Sequence, residues 1–248
     1  MKKYIREFYE RLYLGGSGGA RAVGGKSLAI ELGYPSRLID MLPDEMWEDF
    51  LPCGNVFSRI DPKGGDKLLN LGCGAGFDSI LLKLSARAEF TVVNLDSAFP
   101  VLAKANKAAL PIFSGEGFDL VCADGAGLPF APGSFDWIIL NGVFNLFPDK
   151  GELIEEMNRV LKPGGIVAGA DLSRRTLLPG YFADEPDAWA WCMSGAVSEE
   201  ELIEAFKAGG FSKLDTAAEN MDEFFDRTVF TFRKDGSEAG RKPQNPPT

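Results

Sequence analysis

Glycines, carboxylates and thiols carry the chemistry available to this chain, because it contains no histidine. That excludes a Ser-His-Asp triad, a His-ligated zinc site and an imidazole general base. Leu71-Gly72-Cys73-Gly74-Ala75-Gly76-Phe77 lies between an apolar run and a helical pattern. Glycines in such a turn let the backbone pass close to a ligand, and the helix N-terminus adds donors and positive potential. A pyrophosphate-binding turn wants Gly-x-Gly-x-x-Gly/Ala, but position 77 is Phe. No Gly-Lys-Ser/Thr follows either, so this is not a triphosphate loop. Asp96 ends the next apolar run, about twenty residues past the last glycine, where a carboxylate can accept both hydroxyls of a ribose. It also stands where a helix N-cap would. Asp124, in Cys122-Ala123-Asp124-Gly125, is placed either to meet an adenine amine or to serve as a turn carboxylate.

The elements that must position these groups follow from hydrophobic spacing. Strands are expected at 67–71, 90–95, 118–122, 135–140, 166–170 and 228–232. Helices are expected after Gly76, over 98–109, over 149–162 and from Ser198, where Glu201 completes a capping box, to Gly209. Pro163-Gly164-Gly165 should stop the third of these. Residues 1–13 carry an amphipathic stripe, followed by the glycine run Gly15–Gly19, either a lid hinge or a loose tether. Short helices broken by Pro35, Pro43, Pro52 and Pro62 fill residues 26–62. Alternating strand and helix implies an α/β fold, a doubly wound and mostly parallel sheet covered on both faces. The expected organisation is an N-terminal helical cap over 1–62, a sheet domain over 63–233 and a disordered tail over 234–248.

The chain has 248 residues, a formal charge of −10 and 45% hydrophobic residues, ample for a buried core. An acidic chain without a Lys/Arg run argues against a nucleic-acid partner. There is no run of about 18 apolar residues and no signal peptide, so neither a membrane span nor export is expected. The expected location is cytoplasmic. Four scattered cysteines are too few for a disulfide framework, and Cys73 and Cys122 read as small buried hydrophobes.

Asn70-Leu71-Gly72-Cys73-Gly74-Ala75-Gly76, Asp96, Asp124-Gly125-Ala126-Gly127-Leu128-Pro129-Phe130 and Leu161-Lys162-Pro163-Gly164-Gly165 resemble, in order and spacing, the motifs of class I S-adenosylmethionine-dependent methyltransferases. The resemblance covers about residues 66–172 and implies a Rossmann-like fold with S-adenosylmethionine as cofactor. It implies cofactor contacts from Asn70, Gly72, Cys73, Gly74, Gly76, Asp96, Ser97, Asp124, Gly125 and Asn141. Asp96 would hold the ribose and Asp124 the adenine amine. Asn70 departs from the pattern, since the family usually has an acid there, near the methionine end.

The flanks narrow the resemblance. Ile5-Arg6-Glu7-Phe8-Tyr9, Cys53-Gly54-Asn55, Asn141–Lys150 and Trp189–Ala196 are similar to segments of arsenite methyltransferases. In that family cysteines at the counterparts of Cys53 and Cys192 bind trivalent arsenic, a soft element suited to thiolates. The arsenic lone pair can attack a sulfonium methyl without losing a proton, so no histidine base is required. Asp222–Arg227 lacks the third thiol often found in the family, and Ala20–Val23 lacks an N-terminal Cys-Cys pair. The expected partners are a small-molecule substrate and a reduced thiol or thioredoxin-like reductant. Two other readings stay open: a methyltransferase for an organic small molecule, and a non-catalytic metalloid-binding protein. Trp189 and Trp191 read as packing residues rather than a sulfonium cage.

Overall fold

Apolar runs that end at glycine, amide or acid build the centre of the molecule, seen in a computed structural model that describes residues 1–15, 24–86, 88–113, 118–182 and 185–236. Strands β1 (Lys67–Leu71), β2 (Thr91–Asp96), β3 (Phe118–Cys122) and β4 (Phe135–Asn141) pair in parallel with their neighbours, and β5 (Leu161–Arg174) continues the parallel run beside β4. Strands β6 (Phe211–Asn220) and β7 (Phe225–Lys234) form an antiparallel edge, giving a seven-stranded order β3-β2-β1-β4-β5-β7-β6. The order reverses between β1 and β4, which opens a crevice at their carboxyl ends.

Both sheet faces are apolar because neighbouring strand residues alternate. Leu68 and Ile139 pack with Leu82 on one face, while Leu69, Leu71, Ile138 and Leu140 pack on the other. Helix α5 (Phe77–Ser85) supplies Leu82 to the first face. The second is covered by Leu153, Ile154, Met157 and Val160 of α7 (Lys150–Val160) and by Leu202 and Phe206 of α9 (Glu199–Ala208). Ser198 and Glu201 form the expected capping box at α9. The remaining helices are α1 (Lys2–Tyr13), α2 (Lys26–Glu31), α3 (Ser36–Ile39), α4 (Asp44–Trp47), α6 (Phe99–Phe113) and α8 (Pro186–Ala190). Tyr34, Leu38, Ile39, Trp47 and Phe50 share a core with Phe77, Ile80 and Leu81 of α5 and with Val101 of α6. No described helix is long and apolar enough to cross a membrane.

Several elements differ from expectation. The β6 strand, absent from the expected elements, carries Ser212, Lys213, Asp215, Thr216 and Glu219 and is mostly exposed. It is an edge strand held by its ladder to β7, so apolar alternation never marks it. Strand β5 begins at Leu161, and Pro163-Gly164-Gly165 lies inside it where the register against β4 shifts. Helix α6 runs on to Phe113, with Pro111 in its last turn. Of the expected hinge only Gly15 is described, and positions 16–23 and 237–248 lie outside the described residues.

Candidate active site

The crevice holds a cavity of about 490 Å³, within the usual range for a small-molecule site. Its floor includes Gly72, Gly74, Asp96, Ser97, Asp124, Gly125 and Asn141, seven of the ten residues expected to face a cofactor. Its roof is α1, which contributes Lys2, Ile5, Arg6, Tyr9 and Tyr13. Gly72 has φ +66°, and a Cβ there would lie 2.4 Å from Val143 Cγ2. A Cβ on Gly74 would meet the Tyr13 hydroxyl at 2.7 Å. The floor is thus bare backbone, kept low by positions only glycine fills.

Asp96 does two things at once. Its Oδ1 accepts from Ala98 N (2.9 Å) in a turn just before α6, its Oδ2 accepts from Gly74 N (3.1 Å), and its carboxylate lines the cavity. Burial raises its pKa, against the lowering effect of those N–H donors. Asp124 accepts from Ala126 N (2.9 Å) and faces Lys2 Nζ at 3.5 Å, so it turns the chain and also anchors α1 over the cavity.

The other three expected residues stand apart from this cavity. Gly76 starts α5 with φ +82°, and a Cβ there would lie 2.8 Å from the Phe118 ring. Cys73 is buried and Asn70 donates to Ser79 Oγ (2.9 Å) and Asn94 Oδ1 (3.4 Å). Both border a narrow branch of about 50 Å³ that shares Gly72, Gly74 and Asn141 with the main cavity. Cys122 corrects an expectation: it is exposed on the cavity rim, because β3 is an edge strand.

Cys53 and Cys192 come together. Their Sγ atoms and a carboxylate oxygen of Asp171 all lie within 4.8 Å of one another. Each thiol sits against a glycine. A Cβ on Gly142 would come 3.1 Å from Cys53 Sγ, and the Cys192 thiol donates to Gly142 O at 3.3 Å. Cys192 has φ +65°, the one non-glycine residue in the left-handed region among those described. Such strain costs on the order of 1 kcal/mol and gathers at functional sites. A hydrogen bond with Cys53, burial and the nearby Asp171 charge push the Cys192 thiol well up, so it is held protonated.

The cluster has a polar support. Asp171 accepts from Asn145 N (3.0 Å), Asn145 Nδ2 (2.9 Å) and Leu172 N (2.8 Å). Burial still raises it to about 6, and burial lowers Lys150 to about 8. Lys150 donates to Phe147 O (2.6 Å) and Asn145 O (3.3 Å). On the other side Asn141 clamps the Cys53 loop: its Oδ1 accepts from Cys53 N (2.8 Å) and its Nδ2 donates to Gly54 O (3.0 Å). Asn141 Nδ2 also donates to Asp78 Oδ2 (3.1 Å), and Tyr34 donates to Gly54 O and Asp78 Oδ1, each at 3.1 Å.

Asp171, Asn145, Lys150, Asp78 and Tyr34 were not singled out from sequence. Asp78, the second residue after Gly76, offered a signal as a carboxylate among apolar helix positions. The Trp residues behave as packing: Trp191 meets Phe8 edge-on at 5.4 Å, Lys150 lies 5.9 Å from the Trp189 ring, and neither ring lines the cavity.

Residues 62–210, more than half of the chain, match the sequence model of a family described as a methyltransferase domain. The chain belongs to that family. Among curated relatives, this methyltransferase is 28% identical to an arsenite methyltransferase of Halobacterium salinarum over 78% of the chain and 51% of the relative. It is 29% identical to one of Aquipseudomonas alcaligenes, over 81% of the chain and 63% of the relative. The chain therefore spans about half to two-thirds of the length of these relatives. A demethylmenaquinone methyltransferase of Staphylococcus haemolyticus is 26% identical over 64% of the chain and 74% of its own length. In structure the methyltransferase resembles an arsenic(III) S-adenosylmethionine methyltransferase of Chlamydomonas reinhardtii, with TM-score 0.67 and 24% identity over 82% of this chain and 73% of the other. That likeness shows the fold.

Proposed function

We propose that this methyltransferase moves a methyl group from S-adenosylmethionine to a trivalent arsenical held by Cys53 and Cys192. The observation that carries the reading is the meeting of two thiols, remote in sequence, beside a cavity of cofactor size. The residues suit the methyl donor: the floor at Gly72 and Gly74 is backbone that a Cβ would fill, and the Asp96 carboxylate lines it. Asp96 would take the ribose hydroxyls, and the Asp124–Gly125 turn would meet the adenine. The bound donor supplies an electrophilic sulfonium methyl.

The thiols do the rest without a base. Arsenous acid is neutral, and each thiol displaces one hydroxyl as water, so the proton of a protonated Cys192 leaves with it. The lone pair on arsenic is then the nucleophile. What the chain contributes is alignment, which is worth several kcal/mol when both reactants are fixed. Asn141 fixes Cys53 through its backbone, and the Gly142 carbonyl and Asp171 hold Cys192. A pentavalent methylated product would need electrons from a reduced thiol or a thioredoxin-like partner. That reaction suits a reducing, cytoplasmic setting.

Relatives that act on demethylmenaquinone favour a second reading, methylation of an organic acceptor with both thiols structural. Incubation with S-adenosylmethionine, a reduced thiol and arsenite or monomethylarsonous acid separates the two. Methylated arsenic should appear together with demethylated cofactor, and Cys53→Ser or Cys192→Ser should abolish both. Intact turnover of an organic acceptor by Cys53→Ser, with no arsenical methylated by the wild type, would support the second reading instead.

A further inference from the structure

The amino-acid end of the methyl donor carries a sulfonium and an α-ammonium against one α-carboxylate, a net positive charge, and a site for it should contain an uncompensated carboxylate. Four aspartates border the cavity and its branch. Asp124 faces Lys2 at 3.5 Å, Asp49 pairs with Lys104 at 2.7 Å, and Asp96 is held by the backbone N–H groups of Gly74 and Ala98. Asp78 differs. It is 8% exposed, and among the described residues no lysine or arginine pairs with it. Its oxygens accept from two neutral donors, Tyr34 and Asn141, each at 3.1 Å. A buried carboxylate without a counter-cation is costly, so its position beside a cavity fits a cationic ligand group.

We propose that Asp78 is the counter-charge for the α-ammonium of the methyl donor, supplying from α5 the acid that β1 lacks at Asn70. The small cavity it borders shares the lining residues Gly72, Gly74 and Asn141 with the main cavity. Asn70 does not compete for the role, since its amide is turned to Ser79 and Asn94. The same carboxylate anchors Asn141 and Tyr34, which both hold the Gly54 carbonyl next to Cys53. Occupation of the donor site and the placement of the first thiol therefore share one residue. The proposal rests on the S-adenosylmethionine half of the reading above and is independent of arsenic.

Calorimetric titration of the full chain tests it with two ligands. S-adenosylhomocysteine keeps the α-ammonium, and methylthioadenosine lacks the whole amino-acid part. Asp78→Asn should weaken the first by about tenfold or more and the second by less than about twofold. Equal weakening of both, or of neither, overturns the assignment. A measurement on the wild type needs no variant: replacing the ammonium of S-adenosylhomocysteine by hydrogen should cost about tenfold or more, and equal binding overturns the proposal. A wild-type chain that binds neither nucleoside overturns the donor reading itself.

Discussion

At the residue scale, the site depends on groups held where they would not otherwise stay. Gly72 is one. With φ +66° and Val143 Cγ2 2.4 Å from where a Cβ would sit, Gly72→Ala should lose stability on the order of 1–3 kcal/mol in urea unfolding and weaken cofactor binding. An unchanged midpoint and affinity would contradict the crowding argument. Asp171 is another. Burial raises it to about 6 from its ordinary 3.8, so folding favours its protonated form. Its contribution is complete below about pH 4 and is lost as the pH rises through about 6, by at most about 3 kcal/mol. Relative to Asp171→Asn, the wild type should therefore lose stability between about pH 4 and 7. A difference between the two that stays constant across that window would show the carboxyl to be unperturbed.

At the element scale, α1 decides whether the cavity is a cleft or an enclosed site. Its Lys2 reaches Asp124 and Glu152, each at 3.5 Å, and Tyr9 donates to Ala190 O at 2.9 Å. Tyr4 also bonds Asp187, Phe8 packs on Trp191, and Ile5, Leu12 and Tyr13 are buried, so α1 lies docked as the roof of the cavity. Hydrogen exchange should show residues 4–13 more protected when S-adenosylhomocysteine is bound. Unchanged protection would mean that α1 is not part of the binding site. The parallel strands and the capped helices were legible in sequence because their periods are set by local burial: Leu68 to Leu71, and Leu153 to Val160. Strand β6 was not, since an exposed edge strand takes its position from β7.

At the scale of the whole molecule, the site is assembled from remote segments, and that limits what sequence can show. Asp96 and the glycine loop announce themselves through position at strand ends. The thiol pair was suggested by likeness to arsenite methyltransferases, whereas its third member, Asp171, was not, because nothing around a buried acid in β5 marks it locally. Only the sheet order, which sets β4 beside β5, brings Asn141, Gly142 and Asp171 to one edge. The family match and the fold establish a methyltransferase domain, and the proposed arsenic chemistry rests on the thiol cluster.

If Cys53 and Cys192 together hold the substrate, both must supply sulfur to the arsenic. Arsenic X-ray absorption on the full chain, loaded with one equivalent of a trivalent arsenical and S-adenosylhomocysteine, tests it most directly. Two sulfur neighbours are expected in the wild type and one in each of Cys53→Ser and Cys192→Ser. Arsenic without sulfur neighbours from both cysteines in the wild type, or a count unchanged by either substitution, would contradict it.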